Sequence, residues 1–146
     1  MFSAKSTIII QAPKKEVWAK LSKLDDIANW SSGIGTSVYS SEITSGVGTQ
    51  RSCDIPGIGT LVEDIVEWRD EHKFCYEISG ISISNKSKST ACLFIHSIAS
   101  KALVVVRLSS RKGTRFTKPE RISIAGFSSS IRSVFIYFSA ILMIQV

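Results

Sequence analysis

Arg51, Glu63 and Tyr76 are the side chains whose types and spacing best suit a shared chemical site. Each lies in a segment predicted to be a strand, in which side chains point alternately to the two faces of a sheet. The turn at 56–59 can place Arg51 opposite or diagonal to Glu63. The turn at 69–72 sets the register of the next hairpin and places Glu63 on the same face as Tyr76. The sequence therefore predicts one arginine, one glutamate and one tyrosine on a common face.

The other side chains on this face are mostly apolar. The same hairpin register places Glu63, Ile65 and Glu67 on one face. A concave apolar surface with a few polar groups is typical of a site for a small molecule. We predict a ligand site made of residues on this face together with a tryptophan that can line its entrance: Trp30, Arg51, Cys53, Glu63, Ile65, Phe74, Tyr76 and Ile78.

Two interpretations of the arginine and the glutamate are open. Desolvated charges must be paired, so Arg51 and Glu63 can simply neutralise each other in the interior. Alternatively, the pair and the Tyr76 hydroxyl orient a carbonyl or hydroxyl group of a ligand. A catalytic version of the site would need a general acid or base, and Glu63 is the candidate. The residues alone leave open whether any reaction is catalysed.

The elements that position these residues follow a simple order. Residues 2–10 are rich in β-branched side chains and are predicted to form a strand. Pro13 suits the start of a helix, and Asp25 starts a second short helix that ends near Trp30. A strand, two helices and a run of antiparallel strands indicate an α+β fold. The further strands are predicted at 36–43, 49–55, 60–68 and 73–79 and, with a weaker pattern after Gly80, at 90–98 and 102–109.

The length and composition fit one cytoplasmic domain. The chain has 146 residues, of which 44% are hydrophobic and 21% charged, so a single folded domain is expected. Cys53, Cys75 and Cys92 are widely spaced and include no CxxC pair, so we predict three buried thiols in a reducing compartment. The N-terminal segment lacks the apolar stretch and cleavage site of a signal peptide.

The net charge of +6 is unevenly distributed along the chain. Residues 1–80 carry 8 basic and 11 acidic side chains, whereas residues 81–146 carry 10 basic side chains and one glutamate. The basic run at 101–121 contains a single aromatic residue, so we do not expect a nucleic-acid site. The apolar segment 134–146 is shorter than the roughly 20 residues that span a bilayer. A basic and apolar tail of this kind leaves peripheral contact with a membrane surface as an alternative.

Metal and cofactor signatures are missing from the sequence. The two histidines form no HExxH or paired-histidine pattern. Three GxG triplets occur, but none continues to GxGxxG or to GK[ST] before a helix, so they are interpreted as turns. We predict no metal and no cofactor. The sequence does not determine the oligomeric state.

Several of these segments resemble the polyketide cyclase/dehydrase branch of the START-like (SRPBCC) superfamily. Residues 10–18, IQAPKKEVW, resemble its I-x-AP-x-x-x-VW opening, and Trp30 stands where that family places a tryptophan after its second helix. Residues 46–51, GVGTQR, resemble its GVGT-x-R turn and strand. Residues 59–68 resemble its G-x-x-x-E-x-V-x-x-W strand, and residues 74–78 its x-x-Y-x-I strand. The order and spacing of these pieces are more specific than any one of them.

The resemblance covers about residues 2–80 and implies a helix-grip fold. In that fold a curved antiparallel sheet surrounds a C-terminal helix, two short helices follow the first strand, and a cavity lies between sheet and helix. The resemblance also implies binding, transport or conversion of lipids, polyketides or similar apolar compounds. We therefore expect a single START-like domain over 1–146 that binds an apolar small molecule, with a cyclase/dehydrase-type enzyme and a membrane-associated accessory protein as alternatives.

The sequence departs from the family pattern after Gly80. Residues 81–146 contain 14 serines and one acidic residue, without a charged amphipathic helix to close the cavity. Two explanations are open. Either this part is a divergent version of the usual elements, with residues 131–146 as the gripping helix, or it is translated in a shifted reading frame, which would discard charge balance and helical periodicity together.

Overall fold

The computed structural model describes residues 2–31, 34–56, 59–80 and 89–110. Within these residues the chain forms seven strands, one α-helix and one 3-10 helix. The two helical segments follow the first strand, and the second of them is the 3-10 helix. In chain order the elements are β1 (Phe2–Ile10), α1 (Lys14–Leu21), the 3-10 helix (Leu24–Asn29), β2 (Thr36–Tyr39), β3 (Gln50–Ile55), β4 (Gly59–Arg69), β5 (Lys73–Gly80), β6 (Ser89–Ile98) and β7 (Lys101–Ser110).

All seven strands belong to one curved antiparallel sheet. The order across the sheet is β1-β7-β6-β5-β4-β3-β2, so β1 and β2 are its two edges. Each strand from β2 to β6 pairs with the next one along the chain, which is the meander that the sequence predicts. The first strand returns to pair with β7.

The helical connection from β1 to β2 must cross from one edge of the sheet to the other. It does so on one face, which we call the inner face. Val17 and Trp18 of α1 and Leu24 and Ile27 of the 3-10 helix are buried in one core cluster with the strand residues of that face. Alternation along the strands therefore gives a buried inner face and a more exposed outer face.

In the region after Gly80, strands β6 and β7 form a long and regular hairpin. Ten residue pairs join the two strands, from Ser89 with Ser110 to Ile98 with Lys101. Its two turn residues, Ala99 and Ser100, both have positive φ. This is the backbone of a two-residue turn whose twist matches that of the flanking strands. Seven apolar side chains are buried on the inner face of this hairpin: Ala91, Leu93, Ile95, Ala102, Val104, Val106 and Leu108.

Strand β2 is shorter than the segment 36–43 that we predicted. It ends at Tyr39, because the hydroxyl of Ser41 accepts a hydrogen bond of 2.7 Å from the backbone N–H of Gln50. A serine side chain that satisfies a neighbouring backbone group in this way competes with the strand ladder. The chain then turns through Gly46 and Gly48, both with positive φ, into β3.

The expectation of three buried thiols is wrong for two of the cysteines. Cys75 on β5 lies directly opposite Cys92 on β6, and the two form a disulfide. Only Cys53 is a buried free thiol. The cysteine spacing hid this pair, because a cross-strand partner depends on the register of two strands and not on their separation in sequence. Disulfides are most common outside reducing compartments. This bond therefore does not support the cytoplasmic location, which stays a prediction.

The predicted features of the C-terminal region fall outside the described residues. These are the gripping helix at 131–146, the apolar segment 134–146 and most of the basic run 101–121. In the part of the chain that the structure describes, no helix combines the length and the apolar character needed to cross a membrane.

Candidate functional site

The structure brings most of the predicted site residues together on the inner face. Arg51 pairs with Glu63 across β3 and β4, and Glu63 pairs with Ile78 across β4 and β5. In the adjacent row Ile65 pairs with Tyr76. Residues opposite each other in a ladder share a face. The common face that the two turns predicted is therefore present, and its members are buried: Arg51, Cys53, Glu63, Ile65, Tyr76 and Ile78.

Glu67 does not share this face, although the sequence placed it there. The register of β4 shifts between Ile65 and Glu67, so that Glu67 pairs with Cys75 and Trp68 pairs with Phe74. A bulge of this kind adds one residue to a strand and reverses the alternation after it. Glu67 is consequently exposed, and its carboxylate pairs with Lys73.

The centre of the polar part of the site is an ion pair with both side chains 2% exposed. The Nε–H of Arg51 donates to Oε2 of Glu63 over 2.5 Å. The Nη1 group of Arg51 donates to the backbone carbonyl oxygen of Leu24 over 2.6 Å. The hydroxyl of Ser37 donates to the same carbonyl oxygen over 3.0 Å. The pair thus fastens the start of the 3-10 helix to the inner face of the sheet.

An aromatic cluster lies at the other end of the site. Trp18 of α1 meets Trp68 edge to face, with ring centroids 5.3 Å apart, and Trp68 stacks on Phe74 at 5.5 Å. Phe74 is also 6.2 Å from Tyr76. These separations are typical of favourable aromatic packing. Phe74 therefore connects the aromatic cluster to the polar end of the site.

Trp30 lies immediately after the 3-10 helix and is half-buried against the core. Its indole Nε1 is buried, and it finds no hydrogen-bond partner within the described parts of the chain. A buried indole N–H ordinarily has a partner. Trp30 therefore has a buried donor that the described residues leave unused, and its role in contacting a ligand stays a prediction.

The electrostatic environment of the inner face disfavours additional negative charge. Burial raises the pKa of the Cys53 thiol, an effect that the Arg51 charge partly offsets and that the Glu63 charge increases. Burial also raises the pKa of the Tyr39 hydroxyl, and the negative charge of Asp25 raises it further. Tyr39 is the residue of β2 that lies opposite Arg51. Both side chains are thus held in their neutral forms.

Several polar groups of this site were not predicted from the sequence. Thr49 and Ser89 are buried, and their hydroxyl oxygens have no hydrogen-bond partner in the ranges that the structure covers. Thr49 stands two residues before Arg51, so alternation alone could have placed it on the same face. Ser89 lies opposite Ile78, but its register could not be read across residues 81–88. The contact with the Leu24 carbonyl has no sequence signal, because it is made by a backbone atom.

Comparison with known sequences assigns this chain to a family. The sequence pattern of the family described as "Polyketide cyclase / dehydrase and lipid transport" matches residues 1–98. The chain belongs to this family. The match extends beyond the segment 2–80 in which the resemblance was first seen, and it includes the whole of β6. No curated protein matches the sequence closely enough to count as a relative.

Several solved structures have the same fold as this chain. A START superfamily protein from Mycobacterium smegmatis has a TM-score of 0.63 and 10% identity, over 98% of this chain and 94% of the other. A protein from Nitrosospira multiformis has a TM-score of 0.66 and 13% identity, over 99% and 94%. The crystal structure of Ara h 8.0201 has a TM-score of 0.64 and 10% identity, over 99% and 94%. At these identities the likeness concerns the fold alone.

Proposed function

We propose that this protein binds, and in doing so can transport, an apolar small molecule such as a lipid or a polyketide in an enclosed cavity on the inner face of its sheet. The observation that carries the proposal is the composition of that face: its buried side chains on β6 and β7 are apolar except for Ser89, and it bears one buried ion pair toward β3 and β4. The family description names the same class of compounds. The helix-grip arrangement, with a C-terminal helix closing the cavity of a single domain, is part of the proposal.

The predicted site residues divide between two tasks in this proposal. The side chains of Ile65, Phe74 and Ile78 contact the apolar body of the ligand. Arg51 and Glu63, together with the hydroxyl of Tyr76, orient its polar group, as a few fixed polar groups do in most apolar sites. Cys53 and Trp30 complete the lining of the proposed site, which consists of Trp30, Arg51, Cys53, Glu63, Ile65, Phe74, Tyr76 and Ile78.

Native mass spectrometry of the purified protein, repeated after extraction with organic solvent, tests this proposal. We expect a bound species that disappears on extraction and returns when the extract is added back. Its mass identifies the compound. A protein that carries nothing after purification, and that takes up no fluorescent apolar probe such as N-phenylnaphthylamine, contradicts the proposal.

Two phenylalanine variants locate the bound molecule on one face of the sheet. Ala91 is buried on the inner face between Tyr76 and Leu108, so Ala91→Phe fills the space that the ligand would occupy. Thr90→Phe places the same ring at the neighbouring position on the outer face. We expect loss of the bound species in Ala91→Phe and its retention in Thr90→Phe, with circular dichroism confirming that both variants fold. Equal occupancy in the two variants would place the ligand elsewhere.

A second candidate function is catalysis of the cyclase/dehydrase type in the same cavity. The observation that favours it is a buried carboxylate, Glu63, on the inner face of a chain whose family includes such enzymes. Ring closure with loss of water requires a group that can move a proton, and Glu63 is the candidate acid or base. The protein would be incubated with a linear poly-β-ketone, and the loss of water followed by mass spectrometry. Catalysis predicts that Glu63→Gln stops the reaction and still binds N-phenylnaphthylamine, whereas a substrate that the wild type leaves unchanged contradicts it.

A further inference from the structure

We propose that the molecule bound on the inner face is uncharged and carries a hydroxyl or carbonyl group that hydrogen-bonds to the side chain of Thr49. This inference rests on the proposed binding function and specifies the chemical class of the ligand. It excludes fatty acids, phosphates and amines as the preferred occupants. The charges, the unused hydroxyl and the pattern of apolar residues each support it.

The charges on the inner face already neutralise each other. Among the described strand residues, Arg51 and Glu63 are the charged side chains of that face, and they form one buried ion pair. An anionic ligand at Arg51 would compete with Glu63 for the guanidinium and bring a second negative charge beside a buried carboxylate. A cationic ligand at Glu63 would compete with Arg51 in the same way. Weakening a buried pair costs more free energy than one ordinary hydrogen bond contributes.

The surroundings of the pair oppose a second negative charge in particular. Asp25, at the start of the 3-10 helix, adds an acidic group beside Tyr39, which lies opposite Arg51. The raised pKa values of Tyr39 and Cys53 show that negative charge is disfavoured at two other positions of the same region. A ligand carboxylate placed there would meet the same burial and the same neighbouring charges.

Thr49 supplies the neutral partner that such a ligand requires. Thr49 is fully buried, and its Oγ1 has no hydrogen-bond partner in the described parts of the chain. A buried hydroxyl without a partner is unfavourable, so a partner is expected in the functional state. A hydroxyl both donates and accepts, and it can therefore bind a ligand carbonyl or a ligand hydroxyl. Its backbone carbonyl oxygen is already bonded to the N–H of Ile65, which fixes the position of the residue beside β4.

The apolar part of the inner face determines how the ligand lies. Thr49 and the ion pair stand on the β3–β4 side of the sheet, and the side chains of β6 and β7 that are buried on that face are apolar except for Ser89. With a spacing of about 4.8 Å between strands, β7 is roughly 19 Å from β3. An apolar body of that order can therefore extend from the polar group at Thr49 across the sheet toward β7.

Displacement of N-phenylnaphthylamine by three twelve-carbon compounds tests the inference. At about pH 8, dodecanol is neutral, dodecanoate is an anion and dodecylamine is a cation. We expect dodecanol to displace the neutral probe at a concentration at least about tenfold lower than either ion, because only the ions disturb the buried pair. If dodecanoate or dodecylamine competes as well as dodecanol, the inference is wrong and the binding function stands. If the probe does not bind at all, the binding function itself fails.

Variants of Thr49 test the named contact. Thr49→Val keeps the shape and removes the hydroxyl, and we expect it to weaken dodecanol binding by about fivefold. Thr49→Ser keeps the hydroxyl and should retain the wild-type affinity for dodecanol. Thr60→Val makes the same change at an exposed position of β4 and should have no effect. If the Thr49→Val protein folds and its affinity for dodecanol is unchanged, the assignment of Thr49 is wrong. If that variant does not fold, weakened dodecanol binding by Thr49→Ser would contradict the assignment instead.

Discussion

Replacing Arg51 by methionine should destabilise the protein far more than an ordinary polar substitution. Both members of the Arg51–Glu63 pair are 2% exposed, and the variant leaves the carboxylate buried without its guanidinium. Loss of one partner from a buried pair costs about 3–5 kcal/mol. The Leu24 carbonyl keeps its hydrogen bond from Ser37, so the second contact of Arg51 adds little to this cost. We expect Arg51→Met to lower the free energy of unfolding by about 4 kcal/mol.

Two further variants separate pairing from other effects. The double variant Arg51→Met with Glu63→Leu removes both charges and retains apolar volume, so its free energy of unfolding should lie within about 1 kcal/mol of the wild type or above it. Glu67→Ala breaks the pair with Lys73. The side chain of Glu67 is 51% exposed and that of Lys73 is 26% exposed. An exposed pair contributes at most about 1 kcal/mol, so Glu67→Ala serves as the matched surface control.

Urea unfolding followed by tryptophan fluorescence measures all four proteins. The account requires the single Arg51 variant to be much less stable than both the double variant and the surface control. If Arg51→Met costs no more than Glu67→Ala, the two charges are solvated and the buried pair is not present in solution. If the double variant is as unstable as the single one, the side chains stabilise the fold through packing and not through their charges.

The remaining predictions concern the cysteines and the glycine turns. Thiol titration of the unfolded, unreduced protein should find one thiol, and reduction of the Cys75–Cys92 disulfide should lower the free energy of unfolding by about 3 kcal/mol, as expected for a separation of 17 residues; three reactive thiols would show that the disulfide is absent. Because burial raises the pKa of the Cys53 thiol above its ordinary value, iodoacetamide at about pH 8 should modify it only after unfolding; rapid labelling of the folded protein would contradict its burial. Gly46→Ala should cost about 1 kcal/mol for its positive φ alone. Gly80→Ala should cost clearly more in the same urea assay, because its Cβ would also lie 2.6 Å from a backbone oxygen; equal losses would mean that the strand end moves aside.

The register of β3, β4 and β5 was predictable because the two turns that connect these strands have clear sequence signals. The turns at 56–59 and 69–72 fix which residues face each other, and alternation then places Arg51, Glu63 and Tyr76 on one face. The error at Glu67 has an equally local origin. Nothing in the residue types around Val66 indicates that the strand contains a bulge, and one extra residue is enough to move a side chain to the other face.

The groups that the sequence did not reveal depend on pairing between distant segments. The Cys75–Cys92 disulfide and the position of Ser89 follow from the register of β5 with β6, and no turn signal connects those strands. The contact between Arg51 and the Leu24 carbonyl depends on how the helical connection crosses the sheet. Thr49 is a different case, because its place follows from Arg51 by alternation, but a threonine carries no charge that would mark it as part of a site.

Methyl NMR with a bound apolar probe tests the central claim most directly. Isotope-labelled protein would be titrated with N-phenylnaphthylamine, and contacts between probe protons and protein methyl groups recorded. The account predicts contacts to the inner-face methyl groups of Leu61, Leu93 and Leu108, and none to Val62 and Leu103 on the outer face. Contacts confined to the outer face, or to the exposed residues Ile43 and Val47 of the β2–β3 loop, would contradict it.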